Sequence, residues 1–113
     1  ESRREEFQGI LRTASTGLKP FVRHGSLKDD YTVSRKVLGY GLWGSVKMGS
    51  TSDGAPVAVK TLSKAMLAKR PPRVPPLVEL ECHAAATACG EGRAAELLAV
   101  YEDDRSIYVV MEQ

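Results

Sequence analysis

Leu38-Gly39-Tyr40-Gly41-Leu42-Trp43-Gly44-Ser45-Val46 is followed, after a short polar turn, by Val57-Ala58-Val59-Lys60. The first stretch is a complete G-x-G-x-x-G-x-V, and the second is an apolar run closed by one lysine. Without a Cβ, a glycine backbone approaches anionic oxygens closely and takes φ values that other residues avoid. Successive N–H groups then make an anion cradle, and a lysine from the next strand adds a mobile point charge with three donors. Between the two parts, Thr51-Ser52-Asp53-Gly54 has the chemistry of a turn.

Two blander readings compete for the glycines. A dinucleotide-binding turn needs a helix directly after them and an acid about 20 residues further on. Here Ser45-Val46-Lys47-Met48 continues as a strand, and no acid lies near position 64. An ordinary flexible hairpin with no ligand explains the glycines taken alone. It does not explain Val46 two residues after the last glycine together with a Val-Ala-Val-Lys strand at this distance.

With both motifs in view, the chain resembles the N-terminal lobe of a eukaryotic protein kinase over Tyr31 to Gln113. The resemblance implies an α+β fold, a five-stranded antiparallel sheet with one main helix, and a C-terminal lobe absent from this chain. Residues 1–30 would be an extension or linker, and 31–113 an incomplete kinase domain ending at the hinge. ATP would lie against Leu38, Gly39, Tyr40, Gly41, Leu42, Trp43, Gly44, Ser45 and Val46. Ala58 would line the adenine slot, which Leu38 and Val46 close from above, and Lys60 would hold the α- and β-phosphates. Met111 would control access behind the base, and the backbone at Glu112 would hydrogen-bond the purine. Mg2+ is implied for the intact enzyme, with its ligands outside this chain.

Composition narrows the alternatives. The 113 residues carry a net charge of +2 with both signs interspersed, which argues against a dedicated nucleic-acid face. No apolar run approaches the ~18 residues of a membrane span. A lone domain this small buries only about 60–65% of its unfolded surface, so its stability is marginal. The chain begins at Glu1, not Met, with no apolar signal core, and reads as cut from a longer protein. Cys82 and Cys89 stand two helical turns apart, about 10 Å, too far for a disulfide. Neither joins a zinc-ligand set, although His83 is adjacent. Both read as reduced thiols of a cytoplasmic protein.

Before the first strand, Arg3 through Leu11 has a helical apolar pattern, broken by Thr13-Ala14-Ser15-Thr16-Gly17. Arg12-Thr13-Ala14-Ser15 matches a loose basic-directed phosphorylation pattern, although a polar linker is the simpler reading. Gly17 to Arg23 is expected to be extended because of Pro20. The Phe21-Val22-Arg23 segment, basic spacer and Asp29-Asp30 pair resemble the calcium-dependent protein kinases of plants and apicomplexans. Tyr31 to Leu38 alternates, with Tyr31, Val33 and Val37 on one parity and Thr32, Ser34 and Lys36 on the other, as in a half-exposed antiparallel sheet. Ser45–Ser50 is the return strand and Ala55–Leu62 the third.

The remainder supplies one helix and one hairpin. Lys64, Lys69, Arg70 and Arg73 form a basic connector with Pro71, Pro72, Pro75 and Pro76. It reads as a solvated loop, with no regular helix before about Leu77. Leu77–Cys89 has good helix formers and Gly90 to stop it. In the resembled family this helix carries the glutamate that pairs with the strand lysine, and Glu79 and Glu81 compete for that role. At 100° per residue, Leu77, Glu81, Ala84 and Ala88 lie within about 60° of one another, so the partner of Lys60 is expected to be Glu81. Glu91–Arg93 is a polar connector, and Ala94-Ala95-Glu96 offers a helical extension. Leu97–Tyr101 and Ser106–Met111 form the last hairpin.

The chain holds no H-R-D base, no D-F-G aspartate and no calcium-binding loop. The resemblance therefore implies half of an ATP site. In the intact protein it implies serine/threonine kinase activity on protein substrates, with a downstream calcium-sensing domain as a further partner. A pseudokinase or scaffold lobe, and a non-enzymatic β-rich module, are the competing classes.

Overall fold

Strand alternation in Tyr31-Thr32-Val33 yields β1 (Tyr31–Tyr40), with Tyr31, Val33 and Val37 half-buried and Thr32, Ser34 and Lys36 exposed. β2 (Gly44–Thr51) returns against it, and β3 (Pro56–Ser63) follows the turn at Asp53-Gly54. Gly54 has φ +92°, and its N–H donates to the Thr51 carbonyl at 3.0 Å. β4 (Leu97–Glu102) and β5 (Ser106–Glu112) complete an antiparallel sheet of order β1-β2-β3-β5-β4. The computed structural model describes residues 9–90 and 95–113. The connector at 91–93, Ala94 and most of the early helical pattern fall outside them. Ala95 and Glu96 are not helical.

Two apolar clusters use alternate residues of the same strands and so lie on opposite faces. One contains Leu62, Ile107 and Val109, and the other contains Val57, Val59 and Val110. In β4 a register shift between Leu97 and Ala99 puts Leu97 and Val100 in the first cluster and Ala99 and Tyr101 in the second. The edge strands β1 and β4 meet through the rings of Tyr31 and Tyr101, 6.3 Å apart and at 88°. The sheet is thus strongly curled. The Tyr101 hydroxyl donates to Asp30 at 2.5 Å. Burial, and then that bond to a carboxylate, push its pKa well above the usual phenol value.

Three stretches depart from the sequence reading. The basic connector begins as a helix, α2 (Lys64–Lys69), because Ser63 Oγ accepts the Met66 N–H at 3.3 Å and caps it; α1 is the short turn Leu27–Asp30 before β1. The main helix, α3 (Pro76–Cys89), starts at a proline, which has no N–H to waste in a first turn, and Gly90 ends it at φ +71°. Lys19–Phe21, expected extended, is a 3-10 turn: a fixed φ near −65° suits a helical turn as well as an extended chain. Leu18 beside it is fully buried, and Leu11 and Ala14 join the same cluster as Leu80 and Ala84 of α3. Residues 10–22 thus pack onto the helix side of the sheet instead of linking, and Val22 bridges Val100 in parallel.

Candidate functional site

Register assembles one face of the site. Gly39 pairs with Val46, Val46 with Lys60, and Lys60 with Val109. Two residues away, Met48, Ala58 and Met111 form the next row. Cross-strand partners share a face, so Val46, Ala58, Lys60 and Met111 stand together on the side that α3 covers. Tyr40 and Ser45 belong to the row of Thr61 and Tyr108 and stand on the other face. Leu38 falls at a register shift between Val37 and Gly39, and it is exposed.

The glycines have separate reasons. None of Gly39, Gly41 or Gly44 has positive φ, so left-handed backbone is not why they are there. A Cβ on Gly44 would sit 1.7 Å from the Thr61 carbonyl oxygen, so this glycine lets β2 approach β3. A Cβ on Gly39 would meet nothing within 4 Å, and on Gly41 only the Gly44 oxygen at 3.9 Å. Those two positions leave space open beside the backbone. The turn is closed by the Gly41 N–H donating to the Gly44 carbonyl at 2.8 Å. Its tip is tied down at Trp43: the carbonyl accepts from Ser63 N–H at 2.7 Å, and the indole N–H donates to the Arg70 carbonyl at 2.6 Å. Leu42 beside it remains exposed.

The acid facing Lys60 is Glu79, with Nζ and Oε1 3.9 Å apart. This corrects the expectation of Glu81. The wheel argument centred the buried stripe on Glu81 itself, whereas the buried residues of α3 are Leu80 and Ala84. Glu79 and Glu81 each lie 100° from Leu80, on opposite flanks of that stripe. One flank faces the strand lysine. The other faces the N-terminal segment, where Glu81 Oε2 accepts the Ser15 N–H at 3.0 Å. Ala88, placed in the apolar stripe by the wheel, is exposed. The centre of the stripe would have been legible had Leu80 and Ala84, an i,i+4 pair, been taken as its axis.

At the chain's far end, Met111 packs against the main cluster. The Glu112 N–H donates to the Glu96 carbonyl at 3.0 Å, so the Glu112 backbone keeps only its carbonyl as a group to offer a ligand. Cys82 and Cys89 are exposed free thiols. Among the described residues, no three His, Cys, Asp or Glu side chains stand together to hold a metal, and no helix is long and apolar enough to cross a membrane.

Sequence comparison adds nothing: no family model matches the chain, and no curated protein does. Structural comparison does, with matches to 547 chains. One is the crystal structure of Rad53 1-466 in complex with AMP-PNP. It aligns with a TM-score of 0.62 at 24% identity, over 79% of this chain and 23% of that one. This chain therefore spans less than a quarter of that chain's length. The architecture is that of a protein-kinase N-lobe, an α+β fold with a five-stranded antiparallel sheet.

Proposed function

We propose that this chain is the ATP-binding N-lobe of a protein serine/threonine kinase. The observation that carries the reading is Lys60 meeting Glu79 on the sheet face that also holds Val46, Ala58 and Met111, below a glycine turn with open space at Gly39 and Gly41. The AMP-PNP held by the structural neighbour is an ATP analogue, which supports the same ligand here.

The donor set fits a nucleoside triphosphate. Val46 and Ala58 offer a small apolar surface for a base. The Glu112 carbonyl would accept from an exocyclic amine; its own N–H is engaged by Glu96. The ammonium of Lys60 supplies the countercharge for phosphate oxygens, and Glu79 orients it. Glu79 thus takes the role expected of Glu81. Transfer of the γ-phosphate to a protein hydroxyl needs a base and Mg2+ ligands that this chain does not contribute. Calcium regulation, suggested by the Phe21-Val22-Arg23 lead-in and the Asp29-Asp30 pair, would come from residues outside this chain, and the compartment would be the cytoplasm.

Lys60→Met tests the reading in the intact enzyme. Phosphotransfer should be abolished while the lobe keeps its thermal transition, and near-normal turnover would overturn the role given to the lysine. In calorimetry the chain alone should bind ATP far more weakly than micromolar, because one wall of the pocket is missing.

A further inference from the structure

Residues 9–23 lie as a strap across α3 and β4. The carboxylate of Glu102, itself 5% exposed, accepts the N–H groups of Ile10 at 2.7 Å and Leu11 at 2.8 Å, and it pairs with Lys64 at 2.6 Å. Leu11, Ala14 and Leu18 then bury themselves beside Leu80 and Ala84 of α3. Next, the Ser15 N–H reaches Glu81. The strap ends where Arg23 N–H donates to the Val100 carbonyl at 2.9 Å.

We propose that Glu81 is a positioning residue: by holding the strap at Ser15 it sets the roll of α3 that keeps Glu79 within reach of Lys60. The hold of α3 on the sheet rests on two buried residues of its 14, Leu80 and Ala84, and on two hydrogen bonds nearer its C-terminal end: Thr87 Oγ1 accepts the Leu97 N–H at 2.9 Å, and the His83 ring meets the Ala95 carbonyl at 2.7 Å. The ties at Glu79 and Glu81 act on opposite flanks of that seat. A side-chain oxygen rides roughly 5–6 Å from a helix axis, so a roll of about 20° moves it by about 2 Å. The Lys60–Glu79 contact has no such slack at 3.9 Å. Nor can it resist the roll, because an ion pair between exposed groups is weak. Glu81, bonded to a backbone N–H whose neighbours Ala14 and Leu18 are buried, is the stiffer tie. The coupling stands on geometry alone; its consequence for nucleotide binding rests on the reading proposed above.

A water-soluble carbodiimide joins a lysine amine to a touching carboxylate as an amide, with loss of water. Applied to the chain and read by mass spectrometry, it should give both Lys60–Glu79 and Lys64–Glu102 cross-links. In Glu81→Ala the first should fall about threefold relative to the second. Exchange of the Ser15 amide should rise about tenfold. Glu81→Gln, which keeps an acceptor oxygen, should restore most of both. Ser15→Pro removes the donor from the other side, and Ala14 at φ −58° and ψ 140° already has backbone that a following proline accepts. It should reproduce the loss. An unchanged cross-link ratio in either folded variant, with Ser15 exchange accelerated or the donor gone, overturns the proposal. So does unchanged Ser15 exchange in Glu81→Ala. If Glu81→Ala loses both cross-links it has unfolded, and Ser15→Pro decides. No nucleotide is present, so failure here leaves the ATP reading standing, and failure to bind ATP leaves this coupling standing.

Discussion

Replacing Gly44 with alanine should damage the fold, whereas the same change at Gly39 should not. In the G-x-G-x-x-G pattern the two positions look alike; in the structure they are not. An ideal Cβ at Gly44 lies 1.7 Å from the Thr61 oxygen and 2.8 Å from the Thr61 carbonyl carbon. Both are backbone atoms of the paired strand and cannot swing aside. To restore ordinary contact, β2 must retreat from β3 by roughly 1.5–2 Å. That stretches the Gly44–Leu62 and Ser45–Thr61 pairs. Losing one or two hydrogen bonds costs about 1 kcal/mol each, and the strain adds about 1–3 kcal/mol. We expect a loss of about 2–5 kcal/mol, which for a chain of this length lowers the melting midpoint by roughly 8–20 °C. At Gly39 a Cβ meets nothing and φ is not positive. Alanine there should be neutral or stabilise by about 0.5 kcal/mol, chiefly through the unfolded chain. Urea denaturation of both variants with matched m-values is the assay. A Gly44→Ala midpoint within about 0.5 kcal/mol of the parent, or an equal loss at Gly39, refutes the assignment of one glycine to the fold and the other to open space.

Two further outcomes follow from the contacts described. Glu102→Gln keeps one acceptor where two N–H groups and an ammonium converge, and should cost about 2–3 kcal/mol in denaturation with faster amide exchange over residues 10–22; parent-like exchange there would show that the strap is held elsewhere. At Asp103 burial opposes the charge, but hydrogen bonds from the Arg105 N–H, the Tyr108 hydroxyl and the Ser106 N–H outweigh it, so its pKa is lowered from 3.8. A lowered carboxylate pKa contributes stability that is whole above the unfolded value and is lost as pH falls through the folded one. Asp103→Asn should therefore be less stable at pH 7 and show a shallower loss below about pH 4, and an acid limb identical to the parent's would reject the account.

The sheet was legible because its signals are local. Alternation from Tyr31 to Val37, turn chemistry at Asp53-Gly54 and the apolar run Val57–Val59 each depend on neighbours in sequence. The stop at Gly90 was legible for the same reason. What stayed hidden depends on where elements meet. The strap looks polar from Thr13 to Gly17, and its buried residues, Leu11, Ala14 and Leu18, are spaced at three and four, a signal easily lost beside Pro20. The capping of α2 by Ser63 is masked in the sequence by the prolines that follow. Choosing between Glu79 and Glu81 required knowing which side of α3 sits on the sheet, and a helix with two buried residues gives periodicity little to work with.

That thinness bears on how such a site is controlled. Lys60 is 39% exposed and Glu79 64%, and their contact is at the outer limit of an ion pair. Such a contact contributes at most about 1 kcal/mol and cannot position a helix by itself. The seat of Leu80 and Ala84 against the sheet, the bonds of His83 and Thr87 to residues 95 and 97, and the strap beyond share that task. An equilibrium set by contacts this small is moved by small inputs at the periphery, since about 1.4 kcal/mol changes a two-state ratio tenfold. On the coupling proposed for Glu81, residues 9–23 would be the lever through which a partner or a modification on the N-terminal side reaches Lys60.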